Sequence, residues 1–353
     1  MKIVIVSDAW HPQINGVVRV LEITRRELSA LGHEVILITP DQFHQMPLPT
    51  YPDIKLALFP YYKLSCMLRE LKPDALHVVT EGPLGWAARK YCRRNAHHFT
   101  SSWLSKFPEY ASMRTGLPEA WFYKWLIAFH NQATHTMVTT QTMLETANRI
   151  GIKRAVRWRR GVELKKFRPV PSEMFADLPK PIMLYVGRIA PEKNLEAFLD
   201  LNVPGTKILV GDGPDLASLT KRYPDAVFTG AKTGDDLIKA YCGADVMVFP
   251  SKTDTFGLVN LEAMACGIPV AAYPVTGPKD IISDEPVGAM DEDLAVAIQR
   301  ALPMKPENCI AHAKTFSWER ATQDFLNNLV SFSIEQPQKA KDILTSSAHT
   351  DQT

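Results

Sequence analysis

The 353-residue chain predicts an α/β protein built from two doubly wound parallel sheets. Three observations predict it. Apolar runs of strand length alternate with segments of helical period through both halves, the pattern of βα units on a parallel sheet. That pattern starts twice, with a proline-dense stretch between the two starts. The length also suits two domains at about 100–200 residues each.

In the first half the strands read at Lys2–Ser7, Glu34–Thr39, Asp74–Thr80, His98–Ser102 and His135–Thr140; in the second they read at Ile182–Gly187, Thr206–Gly211, Ala226–Gly230, Asp245–Ser251 and Pro269–Tyr273. After the first strand, Val17, Leu21, Thr24, Leu28 and Leu31 recur at three- and four-residue steps. They mark a helix that follows Asn15 and Gly16 and ends at Gly32. Between the halves, Phe167 to Pro181 contains Pro169, Pro171, Pro179 and Pro181. Proline lacks an amide donor and fixes φ, so such density suits a linker, and the hinge is placed there. Trp318, Ala321, Phe325 and Leu329 repeat behind Ser317, a good N-cap, and predict a last amphipathic helix. From about residue 334 the chain is polar and aperiodic, so a frayed tail is expected over 334–353.

Hydrophobic residues make up 46% and charged residues 22%, enough apolar material for sizeable cores. The run Ile3–Val6 gives way at once to Ser7 and Asp8, too short for the apolar region of a signal peptide. No run approaches the ~18 apolar residues of a spanning helix. Five cysteines, odd in number and without a CxxC pair, argue against a disulfide framework or a zinc knuckle. A reducing, cytoplasmic setting is expected. Charge is split: residues 1–170 carry 24 Lys and Arg against 13 Asp and Glu, while residues 171–353 carry 16 against 25. A basic first half, clustered at Arg89, Lys90, Arg93, Arg94 and from Arg149 to Arg168, suits anionic lipid, nucleic acid or phosphorylated ligands, or is a solvated face. Nucleic-acid binding has no recognisable motif in its support.

Ligands of doubly wound sheets bind beyond the carboxyl ends of the strands, so the residues after each strand matter most. Gly16, at a helix start, lets amides approach an anion or serves the turn alone. In Val186-Gly187-Arg188-Ile189-Ala190-Pro191-Glu192-Lys193-Asn194 two cations follow a strand. They suit a diphosphate, or Lys193 forms a surface pair with Glu192 or Glu196. Val210-Gly211-Asp212-Gly213-Pro214-Asp215 reads as a turn and N-cap beside a ligand. The strongest segment runs from Phe249 to Val270. A strand ends near Ser251, a loop carries Asp254, and a helix from about Leu258 stops at Gly267 and Pro269. Amides of Phe256, Gly257 and Leu258 then lie at a positive helix end, ready for phosphate oxygens, with Glu262 one turn further in. No metal-ligand cluster and no cofactor motif appears.

These residues carry a resemblance. Val248–Tyr273, with Val186–Asn194, resembles retaining nucleotide-sugar glycosyltransferases of the GT-B fold, specifically glycosyltransferase family 4, whose mark is two acidic residues separated by seven others, here Asp254 and Glu262. The resemblance extends to Asn15-Gly16-Val17, to Trp158–Glu163 and to Phe316-Ser317-Trp318-Glu319, and covers most of residues 1–330. It implies two Rossmann-like domains, 1–170 for the acceptor and 171–315 for the donor. A helix over 316–333 would cross back onto the first. It also implies transfer of a sugar from a UDP- or GDP-sugar to a hydroxyl acceptor with retention, without a metal. Arg188 and Lys193, as catalytic cations beside Gly187, would hold the diphosphate. Glu262 would hold the ribose. Catalytic Asp254 and the amides of Phe256, Gly257 and Leu258 would sit by the sugar, with Gly16 closing from the other domain. A lipid or cell-envelope glycan acceptor, and peripheral contact with the inner face of an anionic membrane, fit the basic half and Trp103, Trp121, Phe122, Trp125 and Phe129, although for most of these aromatics core and cleft packing is the expected role.

One departure stands out. In Phe99–Tyr110, Leu104 occupies the position of the family's active-site histidine. Either His77, His97, His98 or His130 substitutes, or the acceptor end works differently, or the protein binds a nucleotide sugar without transferring it.

Overall fold

Strand β1 (Lys2–Val6) shows why the apolar runs become central strands: Ile3, Val4, Ile5 and Val6 are all fully buried. Val4 and Val6 pack into one core and Ile3 and Ile5 into another, so helices cover both faces of the sheet. The computed structural model describes residues 1–13, 15–48 and 51–333, and the tail expected at 334–353 lies outside the described residues.

The chain continues through α1 (Gly16–Ala30), β2 (Glu34–Ile38), a hairpin of β3 (Gln45–Leu48) and β4 (Tyr51–Ala57), α2 (Tyr61–Leu71), β5 (Ala75–Val78), α3 (Pro83–Asn95) and β6 (Thr100–Trp103). Then come α4 (Phe107–Thr115), α5 (Glu119–His130), β7 (His135–Val138), α6 (Gln141–Ile150) and β8 (Ala155–Arg157). The first sheet is parallel throughout, in the order β2-β1-β5-β6-β7-β8.

The second part holds β9 (Ile182–Val186), α7 (Glu196–Leu199), β10 (Thr206–Val210), α8 (Leu216–Arg222), β11 (Val227–Gly230), α9 (Gly234–Cys242) and β12 (Val246–Phe249). It ends with α10 (Leu258–Ala265), β13 (Val270–Ala272), α11 (Pro278–Ile281), β14 (Gly288–Met290), α12 (Leu294–Ala301) and α13 (Pro306–Ala313). Its sheet is again parallel, ordered β11-β10-β9-β12-β13-β14. Last comes α14 (Trp318–Asn328), capped by Ser317, whose hydroxyl accepts the Arg320 amide. Trp318, Ala321 and Phe325 pack with Ile3 and Ile5 of β1 and Leu21 and Leu28 of α1.

Differences from the sequence reading lie at the sheet edges, in a separate hairpin and along α1. Strands β8 and β14 have three residues each, too few for a period, and the β3–β4 hairpin carries Pro47 and Pro52. On α1 the buried stripe is Val18, Val20, Leu21, Ile23, Thr24 and Leu28, whereas Leu31 caps the helix and is 60% exposed.

Gly161 locks α14 to the first part, since a Cβ there would stand 2.4 Å from the Trp318 amide nitrogen. Backbone cannot yield as a side chain can, so Gly161→Ala is expected to lower stability by about 1–3 kcal/mol in urea denaturation. A change under about 0.5 kcal/mol would show that α14 slides freely.

Candidate active site

The strand orders create the site. Connections leave β9 and β12 toward opposite edges of the second sheet, and a crevice opens where they part. The loop after β9 carries Gly187 and Arg188 and ends in a turn of 3₁₀ helix, Pro191–Lys193. The loop after β12 carries Ser251 to Gly257. Lys193 bridges them: its ammonium donates to Asp254 Oδ1 at 2.7 Å and to Oδ2 at 2.9 Å. Its partner is therefore neither Glu192 nor Glu196, the local candidates; Glu196 pairs with Arg222 instead. Two further bonds tie the loops, Asn194 Nδ2 to the Pro250 carbonyl at 3.1 Å and Thr253 Oγ1 to the Glu192 carbonyl at 3.1 Å. Burial works against the Lys193 charge. Asp254, Tyr110 and Tyr185 outweigh it and raise the ammonium pKa above its usual range.

Gly211 to Asp215 underpins the Arg188 loop. The Asp212 carbonyl accepts the Ile189 amide at 2.9 Å, and the Asp215 amide donates to the Ile189 carbonyl at 3.1 Å. Tyr185 donates its hydroxyl to the Arg188 carbonyl at 2.8 Å, and a Cβ on Gly187 would strike that hydroxyl at 2.7 Å.

Helix α10 starts behind Gly257, which takes φ +89°, a conformation that favours glycine. The amides of Phe256, Gly257 and Leu258 thus stand at the amino end of α10, where phosphate oxygens are stabilised. Glu262 is 3% exposed, and each carboxylate oxygen already accepts a bond. Tyr241 donates its hydroxyl to Oε2 at 2.9 Å, and Arg19 of α1 reaches across from the first part to Oε1. Arg19 also pairs with Glu163 at 3.5 Å and lies over the Phe167 ring at 5.0 Å. Burial raises the Glu262 pKa while Arg19 and Tyr241 oppose it. Only a narrow gap remains between Arg19, Glu163, Leu258, Glu262 and Trp318. A carboxylate offers about four acceptor sites, so a hydroxyl can bond Glu262 beside Arg19 or in exchange for it.

Gly16 begins α1 with nothing within 4 Å of where a Cβ would stand, and the Asn15 side chain caps the helix through the Val17 and Val18 amides, both at 3.0 Å. The structure therefore leaves space at Gly16 and does not press it against the Asp254 loop.

The first part grips that loop through residues after β6 and β7. Tyr110 donates to the Thr253 carbonyl at 2.9 Å, Thr139 to the Thr255 carbonyl at 2.8 Å, and Thr255 Oγ1 to the Leu104 carbonyl at 2.7 Å. Burial, aided by Asp254, pushes the Tyr110 hydroxyl up to about 12, so it stays a donor. Leu104 thus borders the loop through its main chain, while its side chain packs into the core around Ile3 and Ile5. None of the four histidines takes its place. His77 sits between the hydroxyls of Thr100 and Ser102, at 2.8 Å from each, and His130 between Ser101 and Glu81, at 2.9 Å from each. His97 stacks between Tyr91 and Phe332, and His98 lies 3.4 Å from Thr134 Oγ1.

Sequence reading missed Arg19, three residues beyond Gly16, and Thr139, because single polar residues in or beside a helix or strand carry no periodic signal. It missed Asn260 too, fully buried in α10 with both amide atoms unpartnered.

Two doubly wound sheets meeting at the carboxyl ends of their strands are the architecture of the GT-B fold. Sucrose-phosphate synthase from Thermosynechococcus elongatus shares this architecture with a TM-score of 0.74, at 22% identity over 93% of this chain and 98% of that one. Residues 14–166 match the family described as Glycosyltransferase Family 4, and residues 180–303 match Glycosyl transferases group 1. A GDP-mannose-dependent alpha-mannosyltransferase of Mycobacterium tuberculosis is 30% identical over 93% of this chain and 96% of its own. One from Mycolicibacterium smegmatis is 32% identical over 90% of each. The chain belongs to glycosyltransferase family 4 and is a nucleotide-sugar glycosyltransferase.

His77 gives a pH test. Burial, with the nearby Arg160 charge, holds its pKa down at about 3, so folded His77 is neutral. The unfolded chain binds this proton from pH ~6.5 downward. Stability from His77 is therefore full above that pH and is lost as pH falls toward 3, by up to about 1.4 kcal/mol per unit. Asp8, buried and raised to about 6, acts in the opposite sense below pH 6. Urea stability at pH 7.5 and 5 should therefore fall less in His77→Gln than in wild type; equal slopes would contradict the burial of a neutral imidazole.

Proposed function

We propose that this protein transfers a mannosyl group from GDP-mannose to a hydroxyl of a lipid or envelope-glycan acceptor, with retention and without a metal. The observation that carries the reading is the Lys193–Asp254 pair beside Arg188, at the amino end of α10. Arg188, Lys193 and the amides of Phe256, Gly257 and Leu258 supply positive potential where the departing diphosphate gains charge. Preorganised charge of this kind is worth most at the moment of bond breaking. Gly187 lets the β9 loop approach the diphosphate, and Gly16 leaves room for it from the first part. Asp254 stands beside the sugar and holds Lys193 in place, while Glu262 takes the ribose once Arg19 withdraws.

The acceptor oxygen bonds the anomeric carbon on the face from which the nucleotide leaves, the bond from that carbon to the phosphate oxygen breaks, and the hydroxyl proton passes to the departing diphosphate. Leu104 cannot take a proton, so this route needs no base at that position. The names of the two mannosyltransferase relatives support GDP-mannose as donor.

A lipid acceptor is supported by the α4–α5 segment, which adjoins the Asp254 loop through Tyr110. It exposes Trp121 and Met113, at 61% and 59%, together with Phe107 and Leu117. Such side chains suit a membrane interface near basic residues. Among the described residues no helix is long and apolar enough to cross a membrane.

The test is nucleotide release from GDP- and UDP-sugars, with and without a bacterial lipid extract and with EDTA throughout. Extract-stimulated GDP release from GDP-mannose is expected. Release from a UDP-sugar alone would reassign the donor, and binding without any release would make this a non-catalytic homologue. In the same assay Arg188→Ala should lose about 10²–10³ in kcat, and a loss under about fivefold would remove Arg188 from the diphosphate site. In co-sedimentation, vesicles containing phosphatidylglycerol should retain the protein and Trp121→Ser should weaken retention several-fold. Equal retention on neutral vesicles would refute the anionic membrane contact.

A further inference from the structure

Arg160 is 3% exposed and forms no ion pair with a described residue. Its Nη1 donates to the Trp158 and Arg159 carbonyls at 2.8 and 3.0 Å, and the guanidinium lies 4.0 Å from the Trp158 ring centre. Its Nη2 is buried without a partner. Burial draws the guanidinium pKa down to about 9, the signature of a cation lacking a counter-charge. A buried, idle, charged donor is costly unless something completes it.

Arg160 lines an open hollow at the junction of the two parts. Arg157, Arg159 and Arg320 line it as well, and the amino end of α14 opens onto it at Ser317. Arg159 is already held by Asp324, at 2.7 and 2.8 Å. The one carboxylate on the lining, Asp280, accepts the Thr142 amide at 2.9 Å and the Gly277 amide at 3.4 Å. Lys193 and Asp254 do not line this hollow.

We propose that the hollow is a second anion site, which binds a phosphate-class oxyanion between Arg160 Nη2, Arg320 and the amino end of α14. Thr139 and Arg160 come from the first part, and Phe256 and Asp280 from the second. Occupation therefore favours the arrangement in which the two parts touch.

Calorimetric titration of the full chain with inorganic phosphate, at ionic strength held constant with KCl, tests this site. Phosphate binding should survive in Lys193→Ala and weaken about tenfold or more in Arg160→Gln and Arg320→Ala, the loss of one charge-assisted contact. Should Arg160→Gln fail to fold, Arg320→Ala, changed at an exposed position, decides alone. A second arm uses phosphatidylglycerol vesicles. Retention of wild type but not Arg320→Ala, without binding of free phosphate, identifies the oxyanion as a lipid headgroup. Binding in neither arm, binding unchanged in Arg320→Ala, or phosphate binding lost in Lys193→Ala overturns the proposal; the last outcome would place the phosphate in the crevice beside Asp254.

Discussion

A single ion pair at the lip of a parallel sheet organises the molecule. Lys193 and Asp254 stand 2.7 Å apart, on loops that leave adjacent strands in opposite directions. Parallel strands place all their following loops on one edge, and the reversal between β9 and β12 opens the gap that the pair spans. Each charge neutralises the other in a site where either alone would be costly to bury. The contact therefore fixes two loops that share no ladder hydrogen bond beyond the sheet, and the amino end of α10 is positioned by the second of them.

The first sheet completes the arrangement from outside. Tyr110, Thr139 and Leu104 all follow its strands, and all reach the main chain or hydroxyls of Thr253 and Thr255. Three neutral hydrogen bonds of this kind contribute only about 0.5–1.5 kcal/mol each. The Arg19–Glu262 contact and the Thr142 amide bond to Asp280 add to them across the same junction. The same contacts explain how the leucine at position 104 is accommodated: only its carbonyl is used at the loop, and that is common to every residue.

Most of the fold was legible because central parallel strands are covered on both faces and read as unbroken apolar runs. Edge strands β8 and β14, with three residues each, gave no comparable signal. The site was legible where chemistry lies within one segment, as with Asp254, Gly257 and Glu262 on a loop and its helix. Pairings across the chain were not. Lys193 and Asp254 lie 61 residues apart, and Arg19 and Glu262 lie 243 apart. A lone arginine on an amphipathic helix gives no hint of a partner in another sheet. Arg160 was visible as part of a basic run, but its burial is a tertiary property that composition cannot carry.

The Arg19–Glu262 contact makes the empty protein its own competitor. Glu262 is almost wholly enclosed, so its charge must be met by some donor at all times. A ligand that took the place of Arg19 would exchange one partner for another, and its apparent affinity would be reduced by the free energy of the contact it replaced. The exchange runs in both directions. When a spent ligand loosens, the guanidinium stands ready to retake the carboxylate, and departure leaves no uncompensated charge behind. With Glu262 as a ligand contact, such a latch would trade tightness of binding for ease of turnover.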